Sequence, residues 1–145
     1  GGPLLLDEQG RPAIVNRSRV LTFALGKQGS LPPALPLPLP RPQHLDQFAD
    51  AATVKLGRNL FHRSCFPCHG VEAISSGMVP DLRYSATIAD RSVFSAIVSD
   101  GVRAQLGMVS FKDNYTPAEF EAIRAYLIDR SQAAARMFPG PGAQR

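Results

Sequence analysis

Tryptophan is absent from this 145-residue chain, which holds only two cysteines and three histidines. Without tryptophan the core of so short a chain is thin, and the length favours one domain over two. Cys65 and Cys68 with the scattered His44, His62 and His69 do not form the paired ligand sets of a tetrahedral zinc site. No run of eighteen or more apolar residues occurs, so no membrane span is expected. The opening Gly1-Gly2-Pro3 lacks a charged n-region followed by an apolar h-region. Any export signal is therefore expected to have been removed or to lie upstream. A concentrated charge is missing too, although the formal charge is +4 and the pI is near 9.5. Residues 1–45 hold five Lys/Arg against two Asp/Glu, residues 46–130 nine against ten, and residues 131–145 two against none. The excess sits in the ends and no basic stripe interleaves with aromatics, so nucleic-acid binding is not expected.

What the chain does have is a sharp change of pattern along its length. Ala13–Leu25 alternates in a strand-like way after Asn16, yet a lone strand is not stable. Residues 1–30 are therefore read as the last piece of another, β-rich domain. Leu31–Pro42 reads L-P-P-A-L-P-L-P-L-P-R-P, which favours polyproline II and makes 31–45 a linker. Stretched out, it would span roughly 35 Å. From Asp46 to Arg130 the period is helical and no strand pattern appears, so the fold class is all-α.

Three helices are predicted there. Asp46 or Asp50 caps the first, which runs to about Ser64 with Phe48, Ala51, Val54, Leu60 and Phe61 as apolar positions. Gly57 inside it costs about 1 kcal/mol relative to Ala, which points to a close helix crossing. The second covers Asp90–Ser99, with Gly101 just past its end. Thr116-Pro117-Ala118-Glu119 then supplies an N-cap, a first-turn proline and a capping-box acid for the last helix. Its apolar face runs to about Ile128, and residues 131–145 are read as a tail.

Cys65-Phe66-Pro67-Cys68-His69 is C-x-x-C-H. Two thiols at this spacing can each form a thioether with a haem vinyl group, and the adjacent His69 then serves as an axial ligand. A thioredoxin-like pair would want a βαβ setting that is missing, while a plain disulfide between Cys65 and Cys68 stays open. For the sixth position Met108 is the candidate, about forty residues beyond His69 and beside Gly107. Its soft thioether suits iron, and a His/Met pair raises the potential and favours electron transfer. Met78 lies too close to His69 in the chain and Met137 lies in the tail, and His44 and His62 are read as solvent-facing. A ligating His needs a partner for its other ring nitrogen, and the Pro80 carbonyl is the candidate. Arg83 is a candidate partner for a haem propionate.

These segments carry a resemblance. C-F-P-C-H-G, V-P-D-L-R, G-M-V-S-F and the Tyr-bearing last helix make residues 46–130 similar to class I cytochrome c domains. More narrowly, F-H-R-S-C-F-P-C-H-G-V-E-A, V-P-D-L-R-Y-S and G-M-V-S-F resemble the C-terminal haem domain of quinohaemoprotein alcohol dehydrogenases. In that family an eight-bladed propeller holds pyrroloquinoline quinone (PQQ) and calcium. R-V-L-T-F-A-L-G resembles its last strand, and a proline-rich linker follows in the same order. The resemblance implies that a PQQ dehydrogenase domain donates electrons to this haem, which passes them to an external soluble or membrane redox partner. It also implies a periplasmic location, and a crossing in which Gly57 and Phe61 meet Tyr126 and Leu127. The propeller and its ligands are missing, so no alcohol oxidation is expected from this chain alone. The competing reading is a free-standing soluble periplasmic carrier. A peroxide-consuming haem would require Met108 not to bind.

Overall fold

The computed structural model describes residues 24–26, 28–30, 45–75 and 79–137. Most of the strand-like segment, the proline-rich stretch, His44, Met78 and the last eight residues lie outside the described residues. Among the described residues there are four α-helices and no strand: α1 Ala51–Ser64, α2 Phe66–His69, α3 Arg91–Val98 and α4 Pro117–Met137. Four single 3-10 turns, Val71–Ala73, Leu82–Tyr84, Ala86–Ile88 and Ala104–Leu106, shape the connections.

Each long helix starts on a side chain that satisfies its free amides. Asp50 accepts from the Thr53 N–H at 2.8 Å. Asp90 accepts from the Ser92 and Val93 amides at 2.7 and 3.1 Å. Thr116 and Glu119 close a full capping box, with Glu119 accepting from the Thr116 N–H at 2.8 Å and donating its own N–H to Thr116 Oγ1 at 3.3 Å.

The core is the seam between α1 and α4. Phe61 and Tyr126 are fully buried, with ring centroids 5.4 Å apart, and Leu60, Ile88, Phe94, Ile97, Phe120, Ile123, Leu127 and Ile128 surround them. Gly57 marks the crossing: a Cβ there would lie 1.8 Å from the Ala122 carbonyl oxygen and 3.0 Å from the Ile123 nitrogen. The helix backbones therefore touch at Ala122–Ile123, one turn before the Tyr126–Leu127 position that the resemblance implied. Phe61 meets Tyr126 as expected.

Two further details depart from the sequence reading, and a third adds to it. α4 continues to Met137 and buries Ser131 and Ala134, so the helix passes the Arg130 boundary. Phe48 precedes α1 and stays half exposed because it covers the Arg124 guanidinium, 4.2 Å above its ring. The lead-in is fastened to α4 by Gln47 Nε2 donating to the Ala125 carbonyl at 2.9 Å and Gln132 Nε2 donating to the Leu45 carbonyl at 2.7 Å.

Candidate haem site

Cys65 sits between α1 and α2 and ends the one helix as it starts the other. Its N–H bonds the Phe61 carbonyl at 2.8 Å, and its own carbonyl accepts from the Cys68 and His69 amides at 3.3 and 2.9 Å. Residues three apart on such a turn share a face, so the fold sets Cys65 and Cys68 side by side. Both thiols are free, Cys68 exposed and Cys65 half-buried. Burial, with the neighbouring Cys68, pushes the Cys65 thiol up to about 12. A thiol raised by burial lacks the low-pKa activation of a redox nucleophile, and Cys65 is in that position.

His69 is buried, and its Nδ1 lies 3.2 Å from the Pro80 carbonyl. A carbonyl can only accept, so Nδ1 carries the proton and Nε2 keeps its lone pair for a metal. Burial lowers the His69 pKa against the opposing pull of Pro80 and Asp81, which favours the neutral, ligating imidazole.

Directly after His69 the chain turns sharply. Gly70 has φ +77°, and a Cβ on it would fall 2.0 Å from the Ile74 carbonyl oxygen. Glu72 and Ala73 follow at φ 58° and 60°, a left-handed pair without glycine. Such residues cost on the order of 1 kcal/mol or more each and need outside support. The support is Glu72 itself, which pairs with Arg58 of α1 at 2.9 Å and Arg130 of α4 at 2.5 Å. The Glu72 N–H also donates to His62 Nε2 at 3.5 Å, while His62 Nδ1 meets the Arg58 carbonyl at 2.8 Å. His62 is thus engaged by protein at both nitrogens while staying partly exposed. A groove of about 510 Å³ beside this cluster is lined by Lys55, Arg58, Glu72, Tyr126, Asp129 and Arg130. It holds none of the sequence-predicted site residues.

Met108 stands on a separate loop whose base is pinned to α3. The Phe111 N–H donates to the Val98 carbonyl at 2.8 Å, and Val102 N–H to the Ala96 carbonyl at 3.2 Å. Gly107 closes a 3-10 turn at φ +89°, with nothing within 4 Å of where a Cβ would stand. Its glycine is therefore favoured by backbone conformation. Met108 is partly buried against the core cluster that Cys65 and Leu82 also flank. Met137 is exposed at the end of α4.

Arg83 is engaged by Asp81, through Nε to Oδ1 at 2.9 Å and Nη2 to Oδ2 at 2.7 Å. Its guanidinium also lies 5.2 Å over the Tyr84 ring. The sequence reading missed Asp81 and Glu72 as partners. Asp81 had a signal, a carboxylate two residues before an arginine in V-P-D-L-R; Glu72 had none, because its partners are 14 and 58 residues away.

The donor set suits haem c: two free thiols on one turn, a neutral buried imidazole with Nε2 available, and a thioether on an apolar loop. Residues 52–127, more than half of the chain, match the family described as cytochrome c oxidase, cbb3-type, subunit III. The chain belongs to this cytochrome c family. As a cytochrome c domain it is an electron-transfer unit for haem c. It is 41% identical over 121 residues to the quinohemoprotein alcohol dehydrogenase ADH IIB of Pseudomonas putida, covering 82% of this chain and 17% of that protein. Cytochrome c550 of Pseudomonas aeruginosa is 34% identical over 80 residues, covering 51% of this chain and 53% of that one. The solved structure of quinohemoprotein alcohol dehydrogenase ADHIIG from Pseudomonas putida HK5 superposes with a TM-score of 0.59 at 33% identity, over 77% of this chain and 16% of that one. The cytochrome c domain thus spans less than a fifth of the dehydrogenases it matches.

Proposed function

We propose that this cytochrome c domain holds one haem covalently through Cys65 and Cys68, with His69 and Met108 as axial ligands. In this reading it relays single electrons from a PQQ- and calcium-containing alcohol dehydrogenase domain to an external redox partner in the periplasm. The observation that carries the site is the His69 Nδ1 to Pro80 carbonyl bond inside a C-x-x-C-H turn. That bond commits one nitrogen to the protein and leaves the other for iron. When bound, the haem supplies a one-electron ferric/ferrous couple. The chain's own residues do the rest: the two thiols fix the group, Pro80 sets the imidazole tautomer, and Met108 offers a soft, neutral donor. The buried seam between α1 and α4 backs the site, with Cys65 and Met108 packed against it.

The donor assignment rests on the dehydrogenase relatives and on the order of segments in the sequence. Residues 1–30 are proposed as the end of the dehydrogenase propeller and 31–45 as the linker to the haem unit. Attachment by thioethers supports the periplasm, and no described helix is long and apolar enough to cross a membrane. The likeness to cytochrome c550, about half of which is covered, favours a second reading as a free-standing carrier. The genomic sequence upstream of Gly1 separates the two, since it either encodes a propeller or does not.

Mass spectrometry tests the attachment. Protein matured in a periplasm should exceed the 15.6 kDa of the polypeptide by one haem, and the excess should survive denaturation. Recovery of the bare polypeptide with a Cys65–Cys68 disulfide overturns the proposal.

A further inference from the structure

The Pro80 carbonyl belongs to the Pro80–Asp81 peptide, so whatever orients that peptide orients the hydrogen bond to His69. Proline fixes φ on the near side. Just upstream, Ser75 Oγ donates to the Val79 carbonyl at 2.5 Å. Downstream the Asp81 carboxylate is held three times by one residue: by the Arg83 N–H at 3.1 Å, Nε at 2.9 Å and Nη2 at 2.7 Å. The two side chains are only 14% and 15% exposed, so solvent and salt screen the pair little. A bidentate carboxylate–guanidinium pair is also directional, and the Tyr84 ring beneath Arg83 limits its swing.

We propose that Asp81 and Arg83 form a clip that aims the Pro80 carbonyl at His69. Arg83 is then a positioning residue that acts on the His69 ligand through the backbone. The inference rests on the reading of His69 as a haem ligand.

The test uses the haem-loaded full chain in its ferrous, diamagnetic form. Proton NMR should place the His69 ring signals far upfield under the haem ring current, with the Nδ1 proton protected from solvent. In Asp81→Asn and in Arg83→Gln that proton should shift in the same direction and exchange about tenfold faster, as the carbonyl swings free. The double variant should be no worse than either single one, because each already opens the clip. The double variant also keeps the summed charge of the pair unchanged, so a raised reduction potential in it reports the weakened hydrogen bond and not a lost charge. Arg83→Lys should rescue only in part, since an ammonium cannot make the two parallel bonds. An Nδ1 proton that is unmoved in both single variants overturns the clip. So does a change confined to Arg83→Gln, which would assign Arg83 to the propionate. His69 signals without ring-current shift in the unmodified chain overturn the ligand assignment itself, and the clip with it.

Discussion

The crossing of α1 on α4 and the loops that carry the site are held by opposite means. At the crossing, backbone meets backbone at Gly57 and Ala122, and the surrounding side chains are apolar and buried. In the loops, Gly70, Glu72, Ala73 and Gly107 all adopt positive φ, and polar side chains fasten two of the acidic residues there. Glu72 is held by two arginines from different helices, and Asp81 by Arg83. The crossing is stabilised by close apolar packing; the loops are stabilised by polar partners, distant for Glu72 and local for Asp81. A frame of the first kind can carry strained loops of the second kind without deforming, and that separation keeps His69 fixed while its surroundings are irregular.

The strongest way to break the frame is a single methyl group. Gly57→Ala places a carbon 1.8 Å from a main-chain oxygen, which no side-chain rotation can relieve. The helices must separate, and the cost should be about 3 kcal/mol or more, the upper range for overpacking. Chemical denaturation of the haem-loaded protein measures it. An unchanged midpoint would mean that α1 and α4 do not meet at Gly57.

Met108→Ala addresses the other region. The side chain is partly buried, so its loss should cost about 2 kcal/mol, the low end for such truncations. Its larger signature is at the site: a lower reduction potential and new binding of carbon monoxide or cyanide. Redox titration and ligand-binding spectra check both. A variant that kept its potential and refused ligands would assign the sixth position to another side chain.

The same contrast explains what could be read from the sequence. α1, α3 and α4 were legible because apolar residues recur at helical spacing and Asp50, Asp90 and Thr116 sit where caps are needed. The C-x-x-C-H turn and the Pro80 carbonyl facing His69 were legible because the chemistry restricts residue type and order. The register of the crossing was not: Gly57 announced a close approach, but which residue of α4 it meets depends on the tilt of two rigid bodies. The extension of α4 to Met137 was hidden because Ser131 and Ala134 are small and only weakly apolar. Arg83 was read by its charge alone, and its nearest carboxylate, two residues away, was overlooked.

A glycine in the loops offers the direct counterpart to Gly57. Gly107 has φ +89° with open space where a Cβ would stand, so Gly107→Ala meets no atom and loses only the glycine's freedom of backbone. The expected cost is about 1 to 2 kcal/mol. The same methyl group should therefore hurt less at position 107 than at 57 in parallel denaturation curves, and the reverse order would show that the loop is the tighter region.

The smallest effect is expected from the partner that ties the two regions together. Burial alone would push the Glu72 carboxyl up, but hydrogen bonds and charge from Arg58 and Arg130 outweigh it and hold the group below its usual 4.5. Asp129, Tyr126 and His62 face the same cluster. A depressed carboxylate contributes stability that is present above the unfolded value, near 4.5, and is lost as pH falls through the folded one. Arg58 is more than half exposed, so solvent weakens its share, and the whole contribution should stay below about 1 kcal/mol. Glu72→Gln keeps the shape and removes the titration. Unfolding free energies measured from pH 7 down to pH 3 should fall more steeply for the native chain than for the variant, with the curves converging at the acid end. Parallel curves would mean that Glu72 holds its left-handed turn without its charge, and that the loop after His69 is supported by His62 and the backbone instead.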